Sequence, residues 1–201
     1  MITGQIIPTS SLGQQIKKIS SLEDVETIIE VGTWNGLGST RCVLNGFLNK
    51  QTTLFLSFEA NLEQQQEALV NNKEELIRYP NFRILHGKLV DERCIDDWLN
   101  PAILDSQYQA WLLDEKRIMK SAPDLSSLIP KIVDLLILDG GEFASYKEWL
   151  FLKGRARYIV LDDTKILKGM KIREDILASK DYEVIEDNLT ERNGFLVVKR
   201  K

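Results

Sequence analysis

Cysteine, histidine and long apolar runs are scarce in this 201-residue chain and a positive net charge is lacking, and each shortage narrows the function. The two cysteines, Cys42 and Cys94, lie far apart and have neither zinc nor redox spacing, so they read as buried thiols of a reducing compartment. The single histidine, His86, falls where a strand ends and reads as a packed or surface residue rather than a catalyst. No apolar stretch approaches the ~20 residues that span a bilayer. Met1 to Pro8 shows no cationic stretch followed by an apolar run, so no signal peptide is expected and the expected location is the cytoplasm. Acids outnumber bases, 30 to 26, for a formal charge of −4. Broad, sequence-independent nucleic-acid binding needs a cationic surface and is not expected. No repeat, low-complexity segment or linker divides the chain, and 43% hydrophobic with 28% charged residues suits one globular domain over 1–201.

Hydrophobic patterning predicts alternating strands and helices. A leading helix around Leu12, Ile16 and Ile19 lies in a polar segment, residues 1–24, read as a cover over one edge of the core or the ligand cleft. Thr27–Val31 is a short β-branched strand that stops at glycines. A helix follows, capped by Ser39 and running to about Asn49. Leu54–Phe58 is a strand that ends at Glu59. Residues 61–78, rich in Gln, Glu, Leu and Ala, predict one helix stopped by Tyr79-Pro80. Phe82–His86 is a third strand. Residues 88–130 exceed one crossover helix and predict a helical insertion or substrate lid, with patches at Ile95, Trp98 and Leu99, then Tyr108, Trp111 and Leu112. Val133–Leu138 is a strand ending at Asp139, followed by a helix over 145–153. Tyr158–Leu161 is a strand ending at Asp162-Asp163, followed by a helix over 167–179. Tyr182–Ile185 and Phe195–Val198 close the chain around an Asn193-Gly194 turn. This order predicts an α/β fold: a Rossmann-like, seven-stranded, mostly parallel sheet with helices on both faces and a last antiparallel strand. In such sheets ligands bind at the carboxyl ends of the strands, so Glu30, Glu59, Asp139, Asp162 and Asp163 should share one rim.

The turn Gly32-Thr33-Trp34-Asn35-Gly36-Leu37-Gly38 follows a strand and opens a helix, the setting in which such a turn approaches a nucleotide-like ligand. Its glycines admit backbone angles closed to other residues and clear space for the ligand. The G-x-x-x-G-x-G spacing also occurs in short-chain dehydrogenases, which need a Tyr-x-x-x-Lys pair. None of Tyr79, Tyr108, Tyr146, Tyr158 and Tyr182 has Lys four places on, which argues against a nicotinamide cofactor. The run Glu30 to Ser39 resembles the first motif of class I S-adenosylmethionine-dependent methyltransferases. That resemblance implies cofactor contacts from Glu30, Gly32, Thr33, Trp34, Gly36, Gly38 and Ser39, and from Gly87 and Asp139 after later strands. It implies that Glu59 holds the ribose hydroxyls, consistent with a carboxylate accepting two hydrogen bonds from a vicinal diol. After the third strand the order His86-Gly87-Lys88 departs from the family, where an acid often faces the adenine.

Asp139, Asp162 and Asp163 would repel one another on one rim unless a cation sat between them, and oxygen ligands suit Mg²⁺. Capping of local turns is the alternative reading for the pair. The arrangement is similar to the metal-dependent O-methyltransferases and the related cephalosporin-hydroxylase group, where an acid after strand four and two residues after strand five hold the ion. That resemblance implies a metal site of Asp139, Asp162 and Asp163, with the ion orienting a substrate hydroxyl and lowering its pKa. Asp139 and Glu142 are the candidate catalytic groups, Glu142 as a base or a supporting group. Lys165, Lys168, Lys171 and Arg173 read as a solvated helix face or as a site for an anionic substrate. Segments 139–143, 161–164 and 192–195 also resemble small uncharacterised proteins of bacterial surface-polysaccharide gene clusters.

These readings together predict S-adenosylmethionine-dependent O-methylation of a small hydroxylated substrate such as a sugar or nucleotide-sugar, with or without Mg²⁺. Two alternatives stay open: an iron-dependent oxygenase of the cephalosporin-hydroxylase kind, and a non-catalytic cofactor-binding protein of a surface-glycan pathway. No oligomeric state follows from the sequence.

Overall fold

The computed structural model describes residues 6–47 and 53–201. Residues 1–5 of the predicted N-terminal cover and the predicted helix end near Asn49 lie outside them. Seven strands form one sheet in the order β3-β2-β1-β4-β5-β7-β6. They are β1 (Thr27–Val31), β2 (Leu54–Glu59), β3 (Phe82–His86), β4 (Val133–Leu138), β5 (Ala156–Asp162), β6 (Tyr182–Asn188) and β7 (Phe195–Arg200). The first five are parallel, and β7 runs antiparallel to both β5 and β6. The chain moves outward from β1 to β3, then returns to place β4 on the other side of β1. The topological switch point therefore lies between β1 and β4, where the carboxyl ends of neighbouring strands open a crevice.

Both faces of the sheet are covered, which explains why the central strands read as continuous apolar runs. Ile28, Phe55, Leu135, Val160 and Val197 pack on one side with α1 (Ser11–Ser20), α2 (Ser39–Gly46) and α3 (Leu62–Asn71). Their alternate neighbours Ile29, Leu56, Leu136, Ile159 and Leu196 pack on the other side with α6 (Ser145–Leu152) and α7 (Leu167–Ala178). The leading helix α1 buries Leu12, Ile16 and Ile19, one stripe at helical spacing. Among the described residues no helix is long and apolar enough to cross a membrane.

The helix predicted over 61–78 is two helices, α3 and α4 (Lys73–Arg78), broken at Asn72. Asn72 is fully buried, and its side-chain amide donates to the carbonyls of Gly36 at 3.1 Å and Ala68 at 2.9 Å. The competing tertiary bond to the glycine turn, a local choice open to Asn, interrupts a segment of good helical propensity. The insertion after β3 contains short 3-10 turns and one long helix, α5 (Ser106–Ser121). Its two ends meet in an isolated parallel bridge between Lys88 and Asp124, outside the seven strands. It carries a small apolar cluster of its own, in which Ile95, Leu99, Leu112 and Met119 meet Phe143 and Ala144.

Candidate active site

A cavity of about 550 Å³ opens at the carboxyl ends of β1, β2 and β4, walled on the far side by α5. This is an ordinary size for a small-molecule site. Its floor is the glycine turn. Gly32 has φ +91°, and a Cβ there would lie 2.1 Å from the carbonyl oxygen of Asp139. The turn after β1 thus presses directly on the backbone after β4, and only glycine fits. Trp34 also adopts a left-handed conformation, φ 49°, normally costly for a bulky residue. Its N–H donates to Glu59 Oε2 at 2.7 Å, while Glu59 Oε1 accepts from Asn61 N–H at 2.9 Å. Burial raises the pKa of Glu59 and these N–H donors oppose the shift. A carboxylate has further lone pairs beyond the two engaged, so it can still meet a diol.

Gly32, Thr33, Trp34, Gly38, Ser39, Glu59, Gly87, Asp139, Glu142 and Asp163 line the cavity. Glu30, Gly36 and Asp162 do not. Glu30 is buried beneath the turn, where its Oε2 accepts from Thr40 Oγ1 at 2.7 Å and Ser57 Oγ at 2.5 Å. It ties the first turn of α2 to β2; burial pushes its carboxyl to about 7 against the bonds from Ser39, Ser57 and Thr40. Gly36 has its role on the back of the turn, where a Cβ would lie 2.3 Å from the Asn72 amide. Ser39 is the first residue of α2 rather than its cap; Gly38 holds the cap position without a side-chain bond. Gly87 gives the insertion room, since a Cβ would meet the Leu125 side chain at 2.4 Å. His86 packs, its Nε2 3.0 Å from the Ala60 carbonyl.

The wall adds two carboxyls that the sequence reading did not single out. Glu115 of α5 accepts the backbone N–H groups of Phe143 at 3.1 Å and Ala144 at 2.8 Å, fastening the insertion to the turn after β4. Glu148 of α6 is buried, and its Oε2 has no hydrogen-bond partner among the described residues. Desolvation raises Glu115 to about 7, and raises Glu148 to about 8 with help from the nearby charges of Glu115 and Glu59.

Asp139, Asp162 and Asp163 do converge: ligand atoms of the three lie within 4.8 Å of one another. The group is already compensated from inside the protein. Lys168 Nζ lies 2.5 Å from Asp139 Oδ1 and 2.9 Å from Asp163 Oδ2. Arg192 Nη2 lies 3.1 Å from Asp162 Oδ2, and Asn193 donates to Asp163 Oδ1 at 3.1 Å. Lys168 is therefore buried, not part of a solvated helix face. Burial works against its charge, but Asp139 and Asp163 outweigh that and the net shift is upward. Asp162 is the last residue of β5 and nearly inaccessible; burial, with Asp139 and Asp163, raises its pKa to about 7. Asp163 turns the chain with φ 58°; burial acts to raise its pKa, and Lys168 and Asn193 reverse this into a net lowering. A Mg²⁺ ion demands oxygen ligands at ~2.0–2.1 Å in near-octahedral order. Carboxylates already paired with an ammonium and a guanidinium do not fit such an ion, nor a redox iron. Glu142 lines the cavity and accepts the Lys168 backbone N–H at 3.2 Å, with burial raising its pKa.

Solved structures with the same topology cover nearly the whole chain. A methyltransferase from Geobacter sulfurreducens is 10% identical, with TM-score 0.62, over 97% of this chain and 82% of its own. The fold is the Rossmann-like fold of these methyltransferases. An O-methyltransferase from Bacillus cereus in complex with SAH is 13% identical, with TM-score 0.59, over 94% of this chain and 80% of its own. An O-methyltransferase of tomaymycin synthesis from Streptomyces achromogenes, in complex with SAM, is 12% identical, with TM-score 0.60, over 94% and 79%. No family model and no curated protein sequence matches the chain.

Proposed function

We propose that the chain is an S-adenosylmethionine-dependent O-methyltransferase acting on a small, uncharged, hydroxylated molecule, such as a sugar. The observation that carries this reading is a single cavity lined by Gly32 to Trp34, Glu59 and Asp139 to Glu142 at the switch point of this fold. The likeness to O-methyltransferases with SAM or SAH bound supports it.

The residues fit the cofactor. Gly32 leaves the floor open, Glu59 offers acceptors for the ribose diol, and the unpartnered Glu148 Oε2 leaves a polar position in the wall for an adenosine donor. When bound, S-adenosylmethionine supplies an electrophilic methyl group on a sulfonium. The chain's own work is to hold a substrate hydroxyl in line and keep water out, a contribution of proximity and orientation. Glu142 is placed to accept the hydroxyl proton; Asp139, engaged by Lys168, fixes the geometry beside it.

Charge argues for a neutral acceptor. Seven acids line the cavity (Glu59, Asp114, Glu115, Asp139, Glu142, Glu148 and Asp163) against three bases, Lys88, Lys168 and Arg192. Lys88 pairs with Glu92, and the other two pair with the aspartates. Burial raises Glu148 and Glu115 to about 8 and about 7, so they do not count as full charges near neutrality, but all three bases are already paired and leave no spare cation to meet a phosphate, so a plain sugar fits better than a nucleotide-sugar. The resemblance to surface-polysaccharide cluster proteins points the same way. The two free cysteines suit a reducing compartment, the cytoplasm. Calorimetry with S-adenosylmethionine should show one site per chain, and mass spectrometry with labelled cofactor and a panel of glycans should show methylated product. Absence of cofactor binding would overturn the reading.

A further inference from the structure

We propose that Lys168 is the resident cation of this site: its ammonium occupies the place between Asp139 and Asp163 that a divalent ion would take, and presents its remaining N–H to the acceptor hydroxyl. This rests on the methyltransferase reading above for the identity of the acceptor, but not for the placement of the charge.

The geometry sets out the case. Lys168 lies in the first turn of α7, and its side chain is 9% exposed. Nζ lies within ion-pair distance of one oxygen from each of two aspartates, at 2.5 and 2.9 Å. The third aspartate, Asp162, is turned to Arg192 on the loop before β7. An ammonium carries three N–H groups, two of them engaged here. Lys168 also lines the cavity, so the third can reach a bound hydroxyl oxygen. A divalent ion bound to the same oxygens would lie against Nζ, and two cations at contact distance in a buried site repel strongly. The position accepts either the lysine or the ion.

In the reaction so arranged, a lone pair of the acceptor oxygen forms the new O–CH₃ bond. The S–CH₃ bond breaks, its electron pair stays on sulfur, and the hydroxyl proton passes to the Glu142 carboxylate. Lys168 keeps its proton throughout and orients the oxygen through an N–H···O bond. This makes it a catalytic residue by contact, with a single positive charge where a metal would bring two and with no exchangeable ligand shell.

Three measurements test the proposal. Electron paramagnetic resonance of Mn²⁺ titrated with the wild-type protein should show the free-ion spectrum unchanged, and turnover should be unaffected by EDTA. Lys168→Met should bind Mn²⁺ at least about tenfold more tightly than wild type, because freeing carboxylates raises the ligand charge that sets affinity. Its turnover should fall by about a hundredfold with the cofactor dissociation constant held within about threefold, the pattern of a contact that orients rather than binds. Lys168→Arg, which keeps the charge, should still exclude Mn²⁺ while losing turnover, since the two cations differ in shape. Stoichiometric Mn²⁺ binding by the wild type, or full turnover by Lys168→Met, would overturn it. Because the Mn²⁺ measurement on the wild type needs neither cofactor nor a folded variant, it separates failure of this proposal from failure of the methyltransferase reading.

Discussion

Glu59 Oε2 accepts the backbone N–H of Trp34 at 2.7 Å, so the acid at the end of β2 holds the glycine turn of β1 in its left-handed shape. One side chain both braces the turn and faces the cavity. Glu59→Ala is expected to weaken S-adenosylmethionine binding by about ten- to a hundredfold, the loss of roughly 1.4–2.8 kcal/mol of charge-assisted hydrogen bonding. Calorimetry checks this; unchanged affinity would remove Glu59 from the cofactor site.

Gly32→Ala should be damaging whatever the ligand. Its Cβ would meet the Asp139 carbonyl at 2.1 Å, at a φ that L-residues avoid. A shift of β1 against β4 follows, with a loss of about 2–4 kcal/mol in chemical denaturation and no measurable cofactor binding. Gly154→Ala is the control, because its Cβ would meet nothing within 4 Å.

Glu115 fastens α5 to the segment after β4. Glu115→Ala strands the N–H groups of Phe143 and Ala144, an expected cost of about 1–3 kcal/mol. Hydrogen exchange should quicken over 106–121 and 141–145 while the sheet stays protected. Uniform quickening across the protein would show instead that α5 is part of the global unfolding unit.

Stability should fall as pH rises through neutrality. Glu148 and Glu115 have folded pKa values of about 8 and about 7 against an ordinary 4.5, so the folded chain binds their protons more tightly than the unfolded chain. Their contribution is fully present below the unfolded value and is lost as pH climbs through the folded ones. Glu148 faces Glu115, Glu59 and Lys168, which sharpen or oppose the effect. The cofactor-free protein should lose several degrees of Tm between about pH 5 and about pH 8, at roughly 2–4 °C per kcal/mol for this size. Glu148→Gln, which cannot ionise, should flatten that slope; an unchanged slope would assign it to other groups.

Much of the fold was legible along the chain. Ile28-Ile29, Leu135-Leu136 and Ile159-Val160 fill both faces of a covered sheet, and so read as strands along the chain. The positions of Glu59, Asp139, Asp162 and Asp163, each at a strand end, point to one rim from the sequence alone. A helical signal was also present for Glu115 and Glu148, which the sequence reading passed over, and for Lys168, which it read as part of a solvated face or an anion site. Lys168 falls on the stripe of Ile172 and Ile176, Glu115 on that of Leu112 and Met119, and Glu148 beside Trp149 and Leu152. A charge on an apolar stripe is either an error of pattern or a group with a buried partner.

What the sequence by itself determined is the strands and helices of a mostly parallel sheet and the rim of acids at its strand ends, because strand and helix periods are local properties of the chain; the strand order, and with it the switch point, came from the tertiary structure. Only the tertiary structure decided which of those acids line the cavity and what neutralises them. Glu30 and Asp162 sit at strand ends like Glu59 and Asp139, yet they turn into the protein, toward Thr40 and Ser57 and toward Arg192. Lys168 reaches Asp139 from 29 residues away along the chain. Charge pairing depends on distances across the fold, and no spacing within one segment encodes them.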